Sequence, residues 1–403
     1  MSVGVPNFQG ARLKEARLSR GLFKNALGAL VGVTGQAITN YEEGKDSPQP
    51  ERFGRIVNAL NFPRDFFFKP IFEEDLGVVH WRSRAAESKS AREMSEQRMK
   101  WLREIFYFLN EEVEFSEEVL PNLDLPSDFK NITNDHIENA AEKIREHWGL
   151  RSEPIPDMIL ALENAGIPVV ALNIVSDKQD GFCFHSPRLG RTFVGVNTNN
   201  ASASRVRLDA AHELGHMVLH RNVTKSQVNT PASHKIIEKQ AFRFAGALLF
   251  PKKAFLREVN VISLDNLCIS KRRWGIAISA MIVRAQDLGL LNQDESSYLF
   301  RQLTKRRWRG PLREPFDREM SIERPRMLRR GFEVLLGSGF FARSSILSEL
   351  SLPAEEIEEI ACLEPGTLTD SVSQMPPISL RNERREVLDL ESGKIIQFPR
   401  RIV

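Results

Sequence analysis

The sequence predicts a multidomain, mostly α-helical protein. An all-α unit stands at the N-terminus, followed by a central α+β unit with a small sheet and a mainly helical C-terminal region. Two observations carry this. Apolar residues recur at helical spacing through most of the chain, whereas β-type runs gather at Val169-Val170-Ala171-Leu172, Phe182-Cys183-Phe184 and Thr192–Val196, with a short pair over Val387–Ile396. The length of 403 residues also exceeds one average domain. The divisions expected are 1–68, a helical connector over 69–130, 131–258 and 259–403.

Composition narrows the class. A content of 41% hydrophobic and 27% charged residues fits a folded chain. The apolar runs fall far short of the ~20 residues that a membrane span needs, and Met1–Gly10 lacks a secretory start. Cys183, Cys268 and Cys362 are too scattered for a disulfide framework, so a reducing, cytoplasmic setting is expected. A net charge of +3 is too small to diagnose a nucleic-acid partner.

In chain order, helices are expected from Arg12, over Leu22–Leu30, over Gln36–Glu42 with Thr34 as N-cap, and over about Pro50–Leu60. Two short helices joined by a glycine-containing turn form a helix-turn-helix, whose second helix enters the major groove. Arg12 to Phe67 resembles the Xre/Cro-type helix-turn-helix domain in its L-K-E-A-R opening, L-V-G-V-T turn and Q-A-I-T-N-Y-E-E-G-K segment. The resemblance implies that Gln36, Thr39 and Asn40 face a double-stranded DNA operator and that Ala29, Ile38, Ile56 and Leu60 build the core. Lys24, Lys45 and Arg55 are candidate phosphate contacts. Phe23-Lys24 and Gly35 depart from the family's usual residues. A single domain of this kind reads one half-site, so a homodimer is expected.

The connector should hold a long helix over Ser90–Glu112 with Met94, Met99, Leu102, Ile105, Phe106 and Leu109 as its apolar stripe. His80 is a weak ligand candidate, and Pro121–Asp128 reads as a linker. Helices over Asp135–Trp148 and Ile155–Ala165 then open the central unit, and its strands lead into Asp209–His220.

That stretch reads DAAHELGHMVLH and contains H-E-x-x-H. On a helix, His212 and His216 share a face and can aim at one point. Imidazole suits a zinc ion, and Glu213 can serve as general base toward a water there. A second apolar helix begins near Glu238, which could turn its carboxylate inward as a third ligand. His220 lies too far along the axis to join the same ion and reads as a wall or supporting residue. His185 and His234 read as loop residues.

These two segments resemble the ImmA/IrrE family of zinc metallopeptidases, whose pattern is HELGH followed by E-x-x-A-N/D-x-F-A-x-x-L-L-M-P. The matching positions are His212, Glu213 and His216, then Glu238, Ala241, Phe244, Ala245, Leu248, Leu249 and Pro251. The resemblance implies a zincin-like fold, Zn2+ held by His212, His216 and Glu238, and Glu213 as catalytic base. Phe242 stands where the family has Asn or Asp.

Further helices are expected over Leu264–Cys268, Ile276–Leu288 and Glu295–Leu303, then the basic stretch Arg301–Arg330 and more helices to Leu363. The expected function is a DNA-binding regulator with a zinc endopeptidase that cuts a repressor-type protein, or itself, in response to stress or mobile-element signals. The alternatives are a repressor or antitoxin-like binding protein with a weak or inactive peptidase domain.

Overall fold

A computed structural model of the chain describes residues 4–72, 76–81, 89–172, 181–228 and 230–369, with two short strands at 387–388 and 395–396. The head contains α1 (Gly10–Ser19), α2 (Lys24–Val31), α3 (Gly35–Glu42) and α4 (Pro50–Leu60). Gly32 ends α2 in the left-handed region at φ 74°, and the Thr34 hydroxyl accepts from the Ala37 amide to start α3. Leu13, Leu27, Val31, Ile38, Phe53, Ile56 and Leu60 fill the core. Ala29 does not: it is exposed, because α2 turns Leu27, Gly28 and Val31 inward and Ala29 falls on the opposite side.

The connector contributes β1 (His80–Trp81) and α5 (Lys89–Glu112). Met99, Leu102, Ile105, Phe106 and Leu109 are buried as the apolar stripe requires. Trp101 joins them and meets the head, its ring 5.6 Å from Phe62 and 6.3 Å from Phe66. Arg12 crosses from α1 to Glu104 at 3.0 Å and donates to the Pro70 carbonyl at 2.6 Å. The head is therefore bolted to α5 by aromatic packing and a buried guanidinium.

The central unit runs α6 (Asn134–His147), α7 (Met158–Asn164), β2 (Val169–Leu172), β3 (Gly181–Ser186), β4 (Arg191–Asn197), α8 (Ala203–Leu219), α9 (Lys225–Val228), α10 (Pro231–Leu249) and α11 (Lys252–Glu258). The strand order is β1-β3-β4-β2; β2 pairs parallel with β4, and the other pairs are antiparallel. Alternation along the strands feeds two cores. Val169, Cys183, Val194 and Val196 pack toward α8 and α10, while Val170, Phe182, Phe184 and Phe193 pack toward α5. Residues 121–128 do not run free as a linker; Leu123 and Leu125 pack on the first core.

The C-terminal region contains α12 (Leu264–Trp274), α13 (Ile278–Asp287), α14 (Gln293–Lys305), α15 (Met327–Gly337), α16 (Arg343–Leu350) and α17 (Ala354–Ala361), then β5 (Val387–Leu388) paired with β6 (Ile395–Ile396). Helices α12–α14 extend the first core, whereas α15–α17 return to the second and cover the far face of the sheet. Among the described residues no helix is long and apolar enough to cross a membrane.

The basic stretch 301–330 is held by its few acids. Glu323 accepts from the Met158 and Ile159 amides at the start of α7 and pairs with Arg207. Glu314 accepts from the Ile278 and Ser279 amides at the start of α13. Lys271, fully buried, pairs with Glu314 at 2.9 Å and Asp317 at 2.6 Å. Removing one partner of a buried ion cluster strands the others. Lys271→Ala is therefore expected to destabilise the fold by ~3–5 kcal/mol, read from denaturant unfolding.

Candidate functional site

Ser202 caps α8 by accepting from the Arg205 amide, and the helix then runs unbroken through the H-E-x-x-H segment. His212, Glu213 and His216 are all buried. Glycine at 215 lets α10 come against this helix. A Cβ there would lie 3.1 Å from the Cα and carbonyl oxygen of Ala241 and from the Phe244 ring, so two small residues mark the crossing. The close approach brings Glu238, one turn before Ala241, over the histidine pair.

The resulting geometry is tight. The Nε2 atoms of His212 and His216 are 2.9 Å apart. Glu238 reaches His212 Nε2 at 3.4 Å with Oε2 and His216 Nε2 at 3.3 Å with Oε1. A tetrahedral ion with bonds of about 2.0–2.2 Å spaces its ligand atoms about 3.3–3.6 Å apart, which both Glu238 distances match while the two histidine nitrogens sit closer. Two imidazole nitrogens and one carboxylate in this arrangement need a cation or a shared proton between them, and the set is the one group of metal-ligating side chains among the described residues. Burial alone would raise the Glu238 pKa, but the two histidines outweigh it and hold its carboxyl well below the usual range. The residues fit a divalent metal ion with one coordination position left over.

Glu213 lies against β3. An added Cβ at Gly181 would come 2.8 Å from Glu213 Oε1, so glycine is needed where the strand passes the acid. Burial pushes the Cys183 thiol well up, and its hydrogen bond to Glu213 pushes the same way. Glu238 acts on the same thiol, which places both acids near the middle of β3.

Behind the histidines runs a relay that sequence spacing only hinted at. Gln240 Nε2 donates to the carbonyls of Phe129 at 2.8 Å and Ile132 at 3.2 Å. Its Oε1 is therefore turned to His220 Nε2 as an acceptor, 3.0 Å away. Burial pushes the His220 imidazole down to about 3, with the neighbouring His216 adding to the effect, so His220 is neutral and its remaining nitrogen can only accept. His216 Nδ1, 3.1 Å from that nitrogen, must donate. The His216 proton is thus fixed on Nδ1, and the lone pair is left on Nε2, toward Glu238. His220 supports the site, as expected. Gln240 was missed, since nothing in sequence separates it from any polar helix residue.

Other positions fall differently. Phe242 packs its ring 4.2 Å from that of His212, tilted by 52°, at the position where the resembling family has an amide or carboxylate. Asp209 is buried and accepts from Arg205 at 3.0 Å. His185 and His234 are not in loops. His185 lies on β3 with Nδ1 3.1 Å from the Thr192 hydroxyl, and His234 lies in the first turn of α10. The side chain of His80 lies outside the described residues. A groove of about 730 Å³ opens beside the site, walled by residues 120–126, Cys183–His185 and His216–Val223.

In the head, Gln36 is exposed and Thr39 and Asn40 are half-buried on α3, and Gln36 donates to Asn40 at 3.1 Å. Gly35 leaves room for the Asn25 side chain, whose Oδ1 would lie 1.8 Å from an added Cβ. Lys24, Lys45 and Arg55 face Glu42, Glu43 and Glu51 at 3.7, 2.5 and 2.7 Å.

The architecture is that of a four-helix head joined to a central unit in which a helix pair brings two histidines and a glutamate together. Family comparison agrees with both parts. Residues 10–65 match a helix-turn-helix domain, and residues 162–281 match a peptidase-family model described as the IrrE N-terminal-like domain. The chain thus carries a helix-turn-helix domain followed by an IrrE-like domain. A Mycobacterium tuberculosis transcriptional regulator of known structure is 18% identical over 49% of this chain, at a TM-score of 0.30, and this chain spans 54% of its length. Comparison with curated proteins returns no match.

Gln240→Leu breaks the relay without touching the three converging side chains. Loss of such a supporting hydrogen bond is expected to weaken divalent-metal binding by about 10–100-fold, measured by chelator competition.

Proposed function

We propose that the protein is a DNA-binding transcriptional regulator whose central domain is a zinc-dependent endopeptidase, acting on a peptide bond in a repressor-type protein or in the chain itself. The observation that carries this reading is the convergence of His212, His216 and Glu238 next to a buried Glu213 beside β3. A purely structural ion would not need that fourth residue.

His212, His216 and Glu238 would hold Zn2+ as its three protein ligands. When bound, the metal would lower the pKa of a water toward roughly 7 and polarise the scissile carbonyl. Glu213 takes the proton of the attacking water on its carboxylate and delivers it to the departing amine. Gly181 and Cys183 set the position of that carboxylate. The His216 tautomer set by His220 and Gln240 keeps Nε2 available at all times. Extended peptide is favoured as substrate because the groove runs along a strand.

For the head, the reading is supported by the domain match and by the exposed polar face of α3. Gln36 and Asn40 can pair with adenine edges, with Thr39 beside them. Lys24, Lys45 and Arg55 would exchange their glutamate partners for phosphates, and a homodimer would read both half-sites. One observation favours a second reading, a regulator with a silent peptidase. Phe242 sets an apolar ring 4.2 Å from His212 at the position where the resembling family has Asn or Asp, so the polar side chain that would orient this ligand from there is replaced.

Glu213→Gln separates the two. It is expected to retain stoichiometric zinc while hydrolysis of a repressor-type substrate falls by about 10²–10⁴-fold. Equal cleavage by both proteins removes Glu213 from the chemistry, and no cleavage by the unaltered protein supports the silent form. On the DNA side, Asn40→Ala should cost ~1–3 kcal/mol on operator DNA and little on random sequence, measured by salt-matched titration.

A further inference from the structure

The outer edge of β3 is the natural place for an extended peptide, because it borders both Glu213 and the groove. That edge already has an occupant. Strand β1 pairs antiparallel along it, with His80 opposite Cys183 and Trp81 opposite Phe182, and residues 76–79 lead into it. The run begins further up the same edge, where Gly77, at φ +67°, turns toward the His185 carbonyl, 3.9 Å from the position of a Cβ. Three side chains pin it. Leu76 is buried in the second core, Val79 packs against that core, and Val78 packs against the first. Gly77 and Val78 also wall the groove that Cys183, His185, His216 and His220 line.

We propose that Leu76–Trp81 is a resident strand on the peptide-binding edge of the candidate site, and that an extended substrate segment must displace it to pair with β3. This rests on reading the site as a peptidase. Of the two paired residues, Cys183 hydrogen-bonds Glu213, and Gly181 beside Phe182 also meets it, so the strand occupies the part of the edge where a scissile segment would be presented. Its pairing with β3 spans two residue pairs among the described residues, whereas β3 extends from Gly181 to Ser186. A peptide pairing along the whole strand would make more ladder bonds than the resident one and could replace it.

The strand also has a tether. It follows the head directly, and Arg12 of α1 holds the chain at the Pro70 carbonyl while bonding Glu104 of α5.

The test uses a full-length variant in which Leu76–Trp81 is replaced by a Gly-Ser segment of equal length. A fluorescently labelled synthetic peptide with the 76–81 sequence is titrated against it and against the unaltered protein by anisotropy. The variant is expected to bind the peptide about tenfold tighter or more, through the vacated edge. Equal affinity for the two proteins, or binding to neither, overturns the proposal. If the replacement does not fold, hydrogen exchange on the unaltered chain decides. Segments 76–81 and 181–186 should be protected together; free exchange of 76–81 beside a protected 181–186 overturns the proposal. Neither readout requires turnover, so a silent peptidase and an unoccupied edge give different results.

Discussion

The site depends on how closely two helices can approach. Gly215 on α8 and Ala241 on α10 leave no side chain thick enough to hold the helices apart, and a Cβ at 215 would already press on backbone. From that crossing, one helical turn back along α10 reaches Glu238, and three residues back along α8 reach His212. The convergence of a carboxylate and two imidazoles is thus a result of backbone separation. The same crossing brings Gln240 within reach of His220 and so orders the hydrogen bonds behind His216.

Around this crossing the protein is layered on a sheet buried on both faces. One face carries the helices of the site, and the other carries α5 and the last helices of the chain. Helix α5 touches everything on that second side: the head through Trp101 and Glu104, the sheet through Phe106 against Phe193, and α17 through Arg98 to Glu359. Helix α17 in turn answers the head, since Glu356 accepts from Arg20 at 2.5 Å. A DNA-reading unit and a hydrolytic site built on this frame would share buried contacts, which a flexible linker would not provide. Physical coupling of two functions needs such an element.

Much of the site was legible early because its signals are local. Four-residue spacing is enough to put His212 and His216 on one face, and Thr34 and Gly32 bracket the turn before α3 as their chemistry demands. Other features were not legible. Ala29 was expected inside and is exposed, because a short helix with apolar residues on both sides has an ambiguous inner face. Pro121–Asp128 read as linker from its prolines, yet its leucines wall the groove. Residues 301–330 read only as a basic run, and three of its acids bind helix starts or a buried lysine.

The sequence by itself determined where most of the helices lie, which sheet positions alternate, and which two histidines and glutamate belong to one motif, although α10 starts at Pro231 and not near Glu238 as its apolar spacing suggested. All of these follow from the period of a single element and from caps a few residues away. Only the tertiary structure decided that Glu238 faces the pair, that Gln240 and His220 set a proton behind it, that α15–α17 cover the far side of the sheet, and that Leu76–Trp81 lies on β3. Periodicity reports which face of an element is apolar but not which distant element covers it, and a two-residue strand has no period to read.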